Sequence, residues 1–368
     1  MLNQKPSIIH GFPSYKIATK EIELYVTVTG GQMAPVNFDL GDRKVSPYSI
    51  SPWAKSGCSD DTPNLLKVLR GDFFCLPFGG SECSPHPHGA TANLDWKLLS
   101  SSDNKLILEI KPEDIGGSVT KEISLVDGQH AIYQQHRIAG VDGSYNYGHH
   151  PIIEFPEEGG PFEIRTSPFK YGQVYPGPFE NPDEGGHSSL KQGAVFDSLD
   201  NVPLADGGSA SLLSYPARDG FDDLVLFSAL DDHFAWTVIT LDGYAWIALK
   251  DPKQFPSTLF WISNGGRDYT PWNKEHRRRI GIEDVCSYFH EGCEKSPTKN
   301  HLNELGIPTS NTFEKENPTV LKHIQMVHPI DAEFGTVESI QRDEDGKGIF
   351  LINKEGEREF AAVNWKFL

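Results

Sequence analysis

Apolar and polar residues alternate with a period of two in many segments of this chain, and this pattern restricts the fold more than any other feature. Clear examples are residues 21–26, 105–110 and 235–240, which are rich in β-branched and aromatic side chains. Alternation of this kind predicts half-buried β-strands. The 35 glycines and 26 prolines supply turns between many short strands. The sequence therefore predicts an all-β protein, built as a large sandwich or barrel.

The formal net charge of −18 on 368 residues restricts the possible partners. Nucleic acids and anionic membranes are bound through clustered lysines and arginines. The basic cluster at residues 277–279 is flanked by Glu275 and Glu283, which is typical of a solvated face. Apolar stretches are far shorter than a membrane span, and residues 1–20 lack the features of a secretion signal. We therefore expect no nucleic-acid or membrane partner and a cytoplasmic location.

The five cysteines are scattered and odd in number, which predicts neither a disulfide framework nor a metal-binding motif. We expect all five to be thiols. They are Cys58, Cys75, Cys83, Cys286 and Cys293.

Composition divides the chain into a main part and a C-terminal part. Residues 156–220 are dominated by Gly, Pro, Asp and Ser, and they predict long loops over a sheet, where loops often wall a binding cleft. Residues 296–318 are polar and could form a linker. We expect a main domain over residues 1–300 and a β extension over residues 301–368 packed on it. A small separate β-module is the alternative for the C-terminal part.

Two paired-histidine segments are candidates for chemistry, because imidazole exchanges protons near neutral pH. In an extended segment His86 and His88 would point to the same side, as metal ligands on β-barrels do. Neither a glutamate at short spacing nor another compact ligand set accompanies them, so we predict no metal and no other cofactor. A metal enzyme using His86, His88 and one of His149 or His150 is the alternative.

His149 and His150 enter a strand pattern directly before Pro151, so one faces each way. The proline restricts His150 to extended geometry, which suits a strand entry at the rim of a cleft. Each histidine could instead be satisfied inside the core.

Two further segments carry single charged residues in apolar surroundings. Arg70 precedes residues 72–80, whose aromatics and glycines are a mixture favoured by carbohydrate sites; a buried aromatic strand is the alternative. Glu283 would share a strand face with Gly281, which leaves space in front of the carboxylate. The alternative for Glu283 is a turn with a solvated acid.

The order of these segments resembles the aldose 1-epimerase family of the galactose mutarotase-like superfamily. The resemblance covers about residues 20–300. The matching positions are Arg70 in an early aromatic strand, His88-Gly89 followed by Trp96, His150-Pro151, and Glu283 as the late glutamate. Ile152-Ile153 depart from the Tyr-Phe that follows His-Pro in the family, and the chain continues further beyond the glutamate than is usual.

The resemblance implies a large antiparallel β-supersandwich with a sugar-binding cleft across one concave sheet. It also implies a carbohydrate isomerase that interconverts the anomers of an aldose or modified sugar by acid–base ring opening. In this assignment His150 is the acid and Glu283 the base. The implied substrate-binding residues are Arg70, His88, His149 and Asp232.

Three other functions stay open at this point. A carbohydrate-binding protein with the same fold would bind sugar without turnover. A sugar lyase or hydrolase would normally need a second carboxylate beside Glu283. The metal enzyme described above is the third. In the first two, as in the isomerase, the expected partner is a small sugar.

Overall fold

The computed structural model describes residues 4–80 and 83–368, and its regular structure is almost entirely β-strand. The strands begin with β1 (Ser7–Ile9), β2 (Phe12–Ala18), β3 (Ile22–Thr27), β4 (Met33–Asp39), β5 (Lys44–Val45), β6 (Phe74–Cys75), β7 (Lys97–Ser101), β8 (Lys105–Ile110), β9 (Ser118–Leu125), β10 (Ala131–Ala139), β11 (Gly143–Tyr145), β12 (Tyr147–His149), β13 (Ile152–Glu154), β14 (Phe162–Thr166) and β15 (Phe169–Val174). They continue with β16 (Val195–Phe196), β17 (Val202–Pro203), β18 (Ser209–Ala210), β19 (Ser214–Tyr215), β20 (Phe221–Ala229), β21 (Ala235–Leu241), β22 (Tyr244–Lys250), β23 (Ser257–Asn264), β24 (Arg279–Cys286), β25 (Asn311–Phe313), β26 (Thr319–Pro329), β27 (Val337–Arg342), β28 (Gly348–Asn353) and β29 (Arg358–Ala362).

Helices are few and short. They are α1 (Trp53–Ser56), α2 (Asn64–Val68), α3 (Gly292–Lys295) and α4 (His301–Glu304), with 3₁₀ turns at Ala90–Ala92, Pro182–Glu184 and Trp365–Phe367. Over the two described ranges, no helix is long and apolar enough to cross a membrane.

Two large antiparallel sheets form the body of the protein. One has nine strands in the order β19-β14-β21-β22-β26-β10-β9-β8-β7. The other has eight, in the order β16-β15-β20-β23-β24-β12-β6, with β13 also paired to β24. Apolar side chains from both sheets meet in one core, among them Ile239 and Trp246 from the first sheet and Phe260 and Ile282 from the second. The predicted all-β fold and the supersandwich architecture are confirmed.

Strand alternation divides the polar residues of β24 between two environments. Ile280 and Ile282 lie in the core between the sheets, whereas Val285 belongs to a second apolar cluster. Because side chains alternate along a strand, Glu283 faces outward with Gly281, and Asp284 faces the space between the sheets.

The expected boundary at residue 300 is not where the sandwich ends. Strand β26 lies inside the nine-stranded sheet, hydrogen-bonded to β10 on one side and to β22 on the other. Strands β27–β29 form their own three-stranded sheet. That sheet packs on the outer face of the nine-stranded sheet through a shared apolar cluster that includes Ile349, Leu351, Ile247 and Ile324.

The predicted long loops of residues 156–220 also contain strands that belong to the body. Strand β14 pairs with β21 in the nine-stranded sheet, and β15 pairs with β20 in the eight-stranded sheet. The remainder of the segment is mostly loop, and part of it reaches the cavity described below.

The expectation that all five cysteines are thiols is wrong. Cys83 and Cys293 form a disulfide across 210 residues, with their Cα atoms 6.5 Å apart. It joins the segment before His88 to the start of α3. Cys58, Cys75 and Cys286 are free thiols.

Candidate active site

A cavity of about 270 Å³ lies on the outer face of the eight-stranded sheet, on the side opposite the core. Its apolar wall is formed by Leu65, Leu66, Leu69, Phe73, Phe179, Leu224, Trp261 and Trp272. Its polar groups are His88, His150, Glu180, Arg267, Tyr269, Glu283 and His290. Flat aromatic surfaces with a few orienting polar groups are typical of small-ligand sites.

His150 and Glu283 meet in this cavity. Nε2 of His150 lies 3.1 Å from Oε1 of Glu283, and both side chains are almost fully buried. Gly281 is required by this arrangement, because a Cβ atom there would come within 2.6 Å of Oε1 of Glu283. The ring of Phe73 stacks on the His150 imidazole at 4.6 Å and fixes its plane.

Burial acts on the two groups in opposite directions. It raises the pKa of Glu283 well above its usual range, although the positive charge of Arg267 lowers it in part. It lowers the pKa of His150 to about 4, against a backbone hydrogen bond and the negative charge of Asp72. At hydrogen-bond distance the two groups titrate as a coupled pair. Both shifts favour the form in which neither group is charged, and that form holds one proton.

His88 lines the same cavity and is set to donate a hydrogen bond. Its ring centroid lies 5.2 Å from that of His150. Its Nδ1 accepts the backbone N–H of Gly79 at 3.3 Å, so Nε2 carries the proton. Burial and the neighbouring imidazoles of His150 and His290 lower the pKa of His88 well below its usual range, which keeps it neutral.

The backbone at His88 is strained. His88 has φ of 60°, a left-handed conformation that non-glycine residues rarely adopt and that clusters at functional sites. Gly89 follows with φ of 76°, and a Cβ atom there would lie 2.2 Å from the carbonyl oxygen of Leu76. The His-Gly pair is thus required by close packing as well as by the cavity.

Arg267 and Glu180 form a second polar group in the cavity that the sequence did not reveal. Nε of Arg267 lies 2.6 Å from Oε1 of Glu180, and its guanidinium sits 4.4 Å above the ring of Trp272. The hydroxyl of Tyr269 donates to Oε2 of Glu180 at 3.2 Å. Glu180 comes from the segment predicted to wall a cleft, which was the one available signal.

Arg70 does not line the cavity. It is fully buried, and its guanidinium donates to the carbonyl oxygens of Val68, Ile9 and His10 at 2.8, 3.2 and 3.1 Å. Phe12 lies 5.0 Å from the guanidinium carbon. Arg70 therefore ties the first hairpin to the body, and its predicted role in substrate binding is not supported.

Replacing Arg70 by methionine is expected to lower the free energy of unfolding by about 2–4 kcal/mol, because the fully buried side chain loses its hydrogen bonds to three carbonyl oxygens. The affinity of the folded protein for sugar should not change. Denaturant unfolding and a sugar titration check this. A large loss of sugar affinity in fully folded protein would return Arg70 to the site.

His149 and Asp232 also lie away from the cavity. His149 faces the space between the sheets, where its Nδ1 lies 3.0 Å from Oδ2 of Asp72 and its ring stacks on His323 at 4.4 Å. Asp232 is exposed in the turn between β20 and β21. Neither residue lines the cavity, so the cavity does not support their predicted roles in substrate binding.

His86 is not part of the site either, and its backbone N–H bonds to the hydroxyl of Ser84. Across the described parts of the chain, no three or more His, Cys, Asp or Glu side chains are grouped so that they could hold a metal ion.

Comparison with known proteins identifies the fold through structural similarity, whereas the sequence identity to these proteins is low. A candidate aldose 1-epimerase from Escherichia coli K12 superposes with a TM-score of 0.60 at 14% identity, over 87% of this chain and all of that one. A galactose mutarotase-like protein from Lactobacillus casei superposes with a TM-score of 0.56 at 12% identity, over 86% and 100%. The chain has the galactose mutarotase-like fold. No protein-family model matches it, and no curated protein matches its sequence.

The galactose mutarotase-like fold explains why the short sequence motifs occur in the right order although identity is low. His88, His150 and Glu283 lie far apart in the chain, and the eight-stranded sheet and its loops bring them to one cavity. Fold alone does not fix function, and the chemistry depends on these residues.

Proposed function

We propose that the protein is a carbohydrate isomerase that interconverts the anomers of an aldose. The observation that carries this proposal is the contact between His150 and Glu283 in an aromatic-walled cavity that also holds the donor His88. One acid, one base and one neutral donor are the groups that ring opening needs.

The reaction follows from where protons move. Glu283, as carboxylate, takes the proton of the anomeric hydroxyl, and protonated His150 gives its proton to the ring oxygen as the ring bond breaks. The open-chain aldehyde rotates, and closure on the other face returns both protons. Each proton transfer by a positioned group contributes about 10² to 10⁴ in rate. Nε2 of His88 donates to a sugar oxygen and holds the ring in place.

The sugar must enter between the acid and the base, because in the empty cavity they contact each other. Before binding they share one proton. The bound sugar separates them, and the form with His150 charged and Glu283 ionised is the one that reacts. The indole ring of Trp261 lies beside His150 and offers an apolar surface for one face of the sugar.

The charges around the cavity favour an uncharged sugar. Nε of Arg267 lies 2.6 Å from Glu180 and 3.6 Å from Asp222, so this cation is already neutralised by two carboxylates. A phosphate or carboxylate on the sugar would meet Glu180 and Glu283, and among the described lining residues the one Lys or Arg is this already paired arginine, which is unfavourable.

Neutral hexoses should therefore be better substrates than hexose 6-phosphates. We expect kcat/KM for the phosphates to be at least tenfold lower, which corresponds to about 1.4 kcal/mol. Proton exchange NMR on matched pairs of neutral and phosphorylated sugars measures this ratio. Equal or better turnover of the phosphates would overturn the charge argument.

Polarimetry tests the proposed function directly. Freshly dissolved single anomers of a panel of aldoses are followed to equilibrium with protein and with buffer alone. The proposal requires a faster approach to equilibrium for at least one sugar. If every sugar behaves as in buffer but titration calorimetry detects binding, the protein is a carbohydrate-binding protein with the same fold.

A further inference from the structure

The buried carboxylate of Asp72 lies next to the backbone of His150, the proposed acid, on the interior side of the sheet. It is fully buried between the sheets. Its Oδ2 accepts hydrogen bonds from the side-chain amides of Gln134 and Gln325, at 2.5 and 2.8 Å, and contacts Nδ1 of His149 at 3.0 Å. Its Oδ1 accepts the backbone N–H of His150 at 3.0 Å. Four donors thus converge on this carboxylate.

Two consecutive residues hold His150 from two sides. Asp72 binds its backbone from inside the sandwich, and Phe73 stacks on its ring from the cavity side. The main chain contributes as well, because the His150 N–H also reaches the carbonyl oxygen of Phe73 at 3.0 Å. The position of the imidazole opposite Glu283 therefore depends on this short segment.

Strand alternation places a second pair of polar residues on the interior face of the sheet, next to His150 and Glu283 in the chain. His149 and Asp284 face the interior where His150 and Glu283 face the cavity. Asp284 contacts Nε2 of His323 at 2.8 Å, and His323 stacks on His149. His149 and Asp284 thus belong to one buried network, and each directly neighbours one member of the proposed acid–base pair in the chain.

We propose that Asp72 is a positioning residue for His150: its carboxylate fixes the backbone of the acid from inside the sandwich and supplies the negative charge that favours the protonated imidazole. This inference rests on the proposed function only for its catalytic consequence. The positioning part stands on the contacts alone, and the electrostatic part on the closeness of the Asp72 carboxylate to His150.

The charge of Asp72 is not cancelled by a direct partner cation. Burial lowers the pKa of His149 to about 4 although Asp72 opposes this, so His149 is neutral and only donates. Lys121 faces the same interior, but its ammonium group donates to the carbonyl oxygen of Gly31. The other groups that face Asp72 or His150 are Tyr48, Cys75, His88, His276, Glu283 and His323.

The substitution Asp72→Asn separates charge from shape. Asparagine can still accept the His150 N–H, and the amide of Gln134 can turn to present its oxygen to the new amide group. We expect kcat for anomer interconversion to fall at least tenfold with KM within twofold of wild type. The pKa of the His150 imidazole, followed by NMR on histidine-labelled protein, should fall by about one unit, since a nearby negative charge favours the charged form.

A matched control is Asp223→Asn. Asp223 is a buried carboxylate that accepts the backbone N–H groups of Ser189 and Leu190, at 2.9 and 2.8 Å, and the hydroxyl of Ser189. It touches neither member of the acid–base pair. We expect its variant to keep the wild-type kcat and the wild-type His150 titration per folded molecule. Equal effects of both substitutions, or none from Asp72→Asn, overturn the proposal.

The NMR titration of His150 also tests the role of Asp72 independently of the proposed isomerase activity. A wild type without turnover rejects the isomerase, whereas an unchanged His150 pKa in Asp72→Asn rejects the role of Asp72. If Asp72→Asn does not fold, the comparison is made in Glu283→Gln, where Asp72 is the carboxylate left in contact with His150. His150 should then titrate at higher pH than His88, and the reverse order contradicts the proposal.

Discussion

Replacing Glu283 by glutamine should lower the catalysed rate of anomer interconversion by about 10² to 10⁴. Glutamine has nearly the same shape as glutamate and can still accept a hydrogen bond from Nε2 of His150, which lies 3.1 Å from the carboxylate. It cannot take the proton of the anomeric hydroxyl. The loss should therefore appear in kcat, with KM changed little.

The pH profile gives a second readout of the same substitution. In the proposed reaction, the wild-type pair is active when it holds one proton. Activity is lost at low pH when a second proton binds to the pair, and at high pH when the last proton leaves. Burial raises the pKa of Glu283 and lowers that of His150, so the active range lies between these limits. The residual activity of Glu283→Gln should lose the low-pH limb of the profile, because glutamine has no carboxylate that a proton could neutralise.

The control for this substitution is Glu163→Gln, which removes a surface carboxylate paired with Arg165 at 2.9 Å and should leave kcat unchanged. Polarimetry and proton exchange NMR measure both variants. If Glu283→Gln keeps more than a tenth of the wild-type rate, Glu283 is not the base.

Strand periodicity explains which parts of the site could be predicted from the sequence. His150 and Glu283 each belong to a doublet of polar residues in a strand, and alternation requires that one member of each doublet faces the cavity. Gly281 marks the correct face of β24, because only a residue without a side chain leaves room for the Glu283 carboxylate. These local rules indicate that one residue of each doublet faces the cavity, whereas the proposed roles of His150 and Glu283 came from the family resemblance.

Residues that depend on loop paths or on long-range pairing could not be predicted in this way. Arg267 and Glu180 reach the cavity from loops, whose course no periodicity determines. Arg70 lies near the aromatic segment in sequence, yet its side chain turns to the N-terminal carbonyls. The disulfide between Cys83 and Cys293 joins residues 210 positions apart, and spacing gives no indication of such a pair.

The path of the chain beyond residue 300 could not be predicted for a related reason. The polar segment of residues 296–318 has the composition of a linker, but the chain returns after it to the middle of the nine-stranded sheet as β26. A strand that pairs with β10 and β22 is separated from both by long stretches of sequence. The composition of residues 296–318 indicates a connecting segment, but it does not indicate which strands β26 pairs with after that segment.

Replacing Lys250 by methionine is expected to lower the free energy of unfolding by about 3–5 kcal/mol, because it leaves a buried carboxylate without its cation. Lys250 Nζ lies 2.7 Å from Oδ1 of Asp284 between the two sheets, and it also donates to the hydroxyl of Thr258 and the carbonyl oxygen of Ser257. Although burial alone raises it, the pKa of Asp284 is held well below its usual range by Lys250 and His323.

A surface ion pair of almost identical length provides the contrast. Lys105 lies 2.8 Å from Glu122 with both side chains partly exposed, and Lys105→Met should cost no more than about 1 kcal/mol. Denaturant unfolding of the two single variants compares the same chemical change in two dielectric environments. If the two variants lose similar amounts of unfolding free energy, water reaches Asp284 in the folded state.

The double variant Lys250→Met/Asp284→Asn identifies the source of the loss. If the cost arises from an unpaired buried charge, removing that charge as well should restore at least half of the lost free energy, although two further polar contacts of Lys250 are still missing. If the loss is instead due to packing, the second substitution should add to it. Recovery in the double variant would show that the ion pair behind Glu283 is held together by mutual neutralisation, as expected for charges enclosed between two sheets.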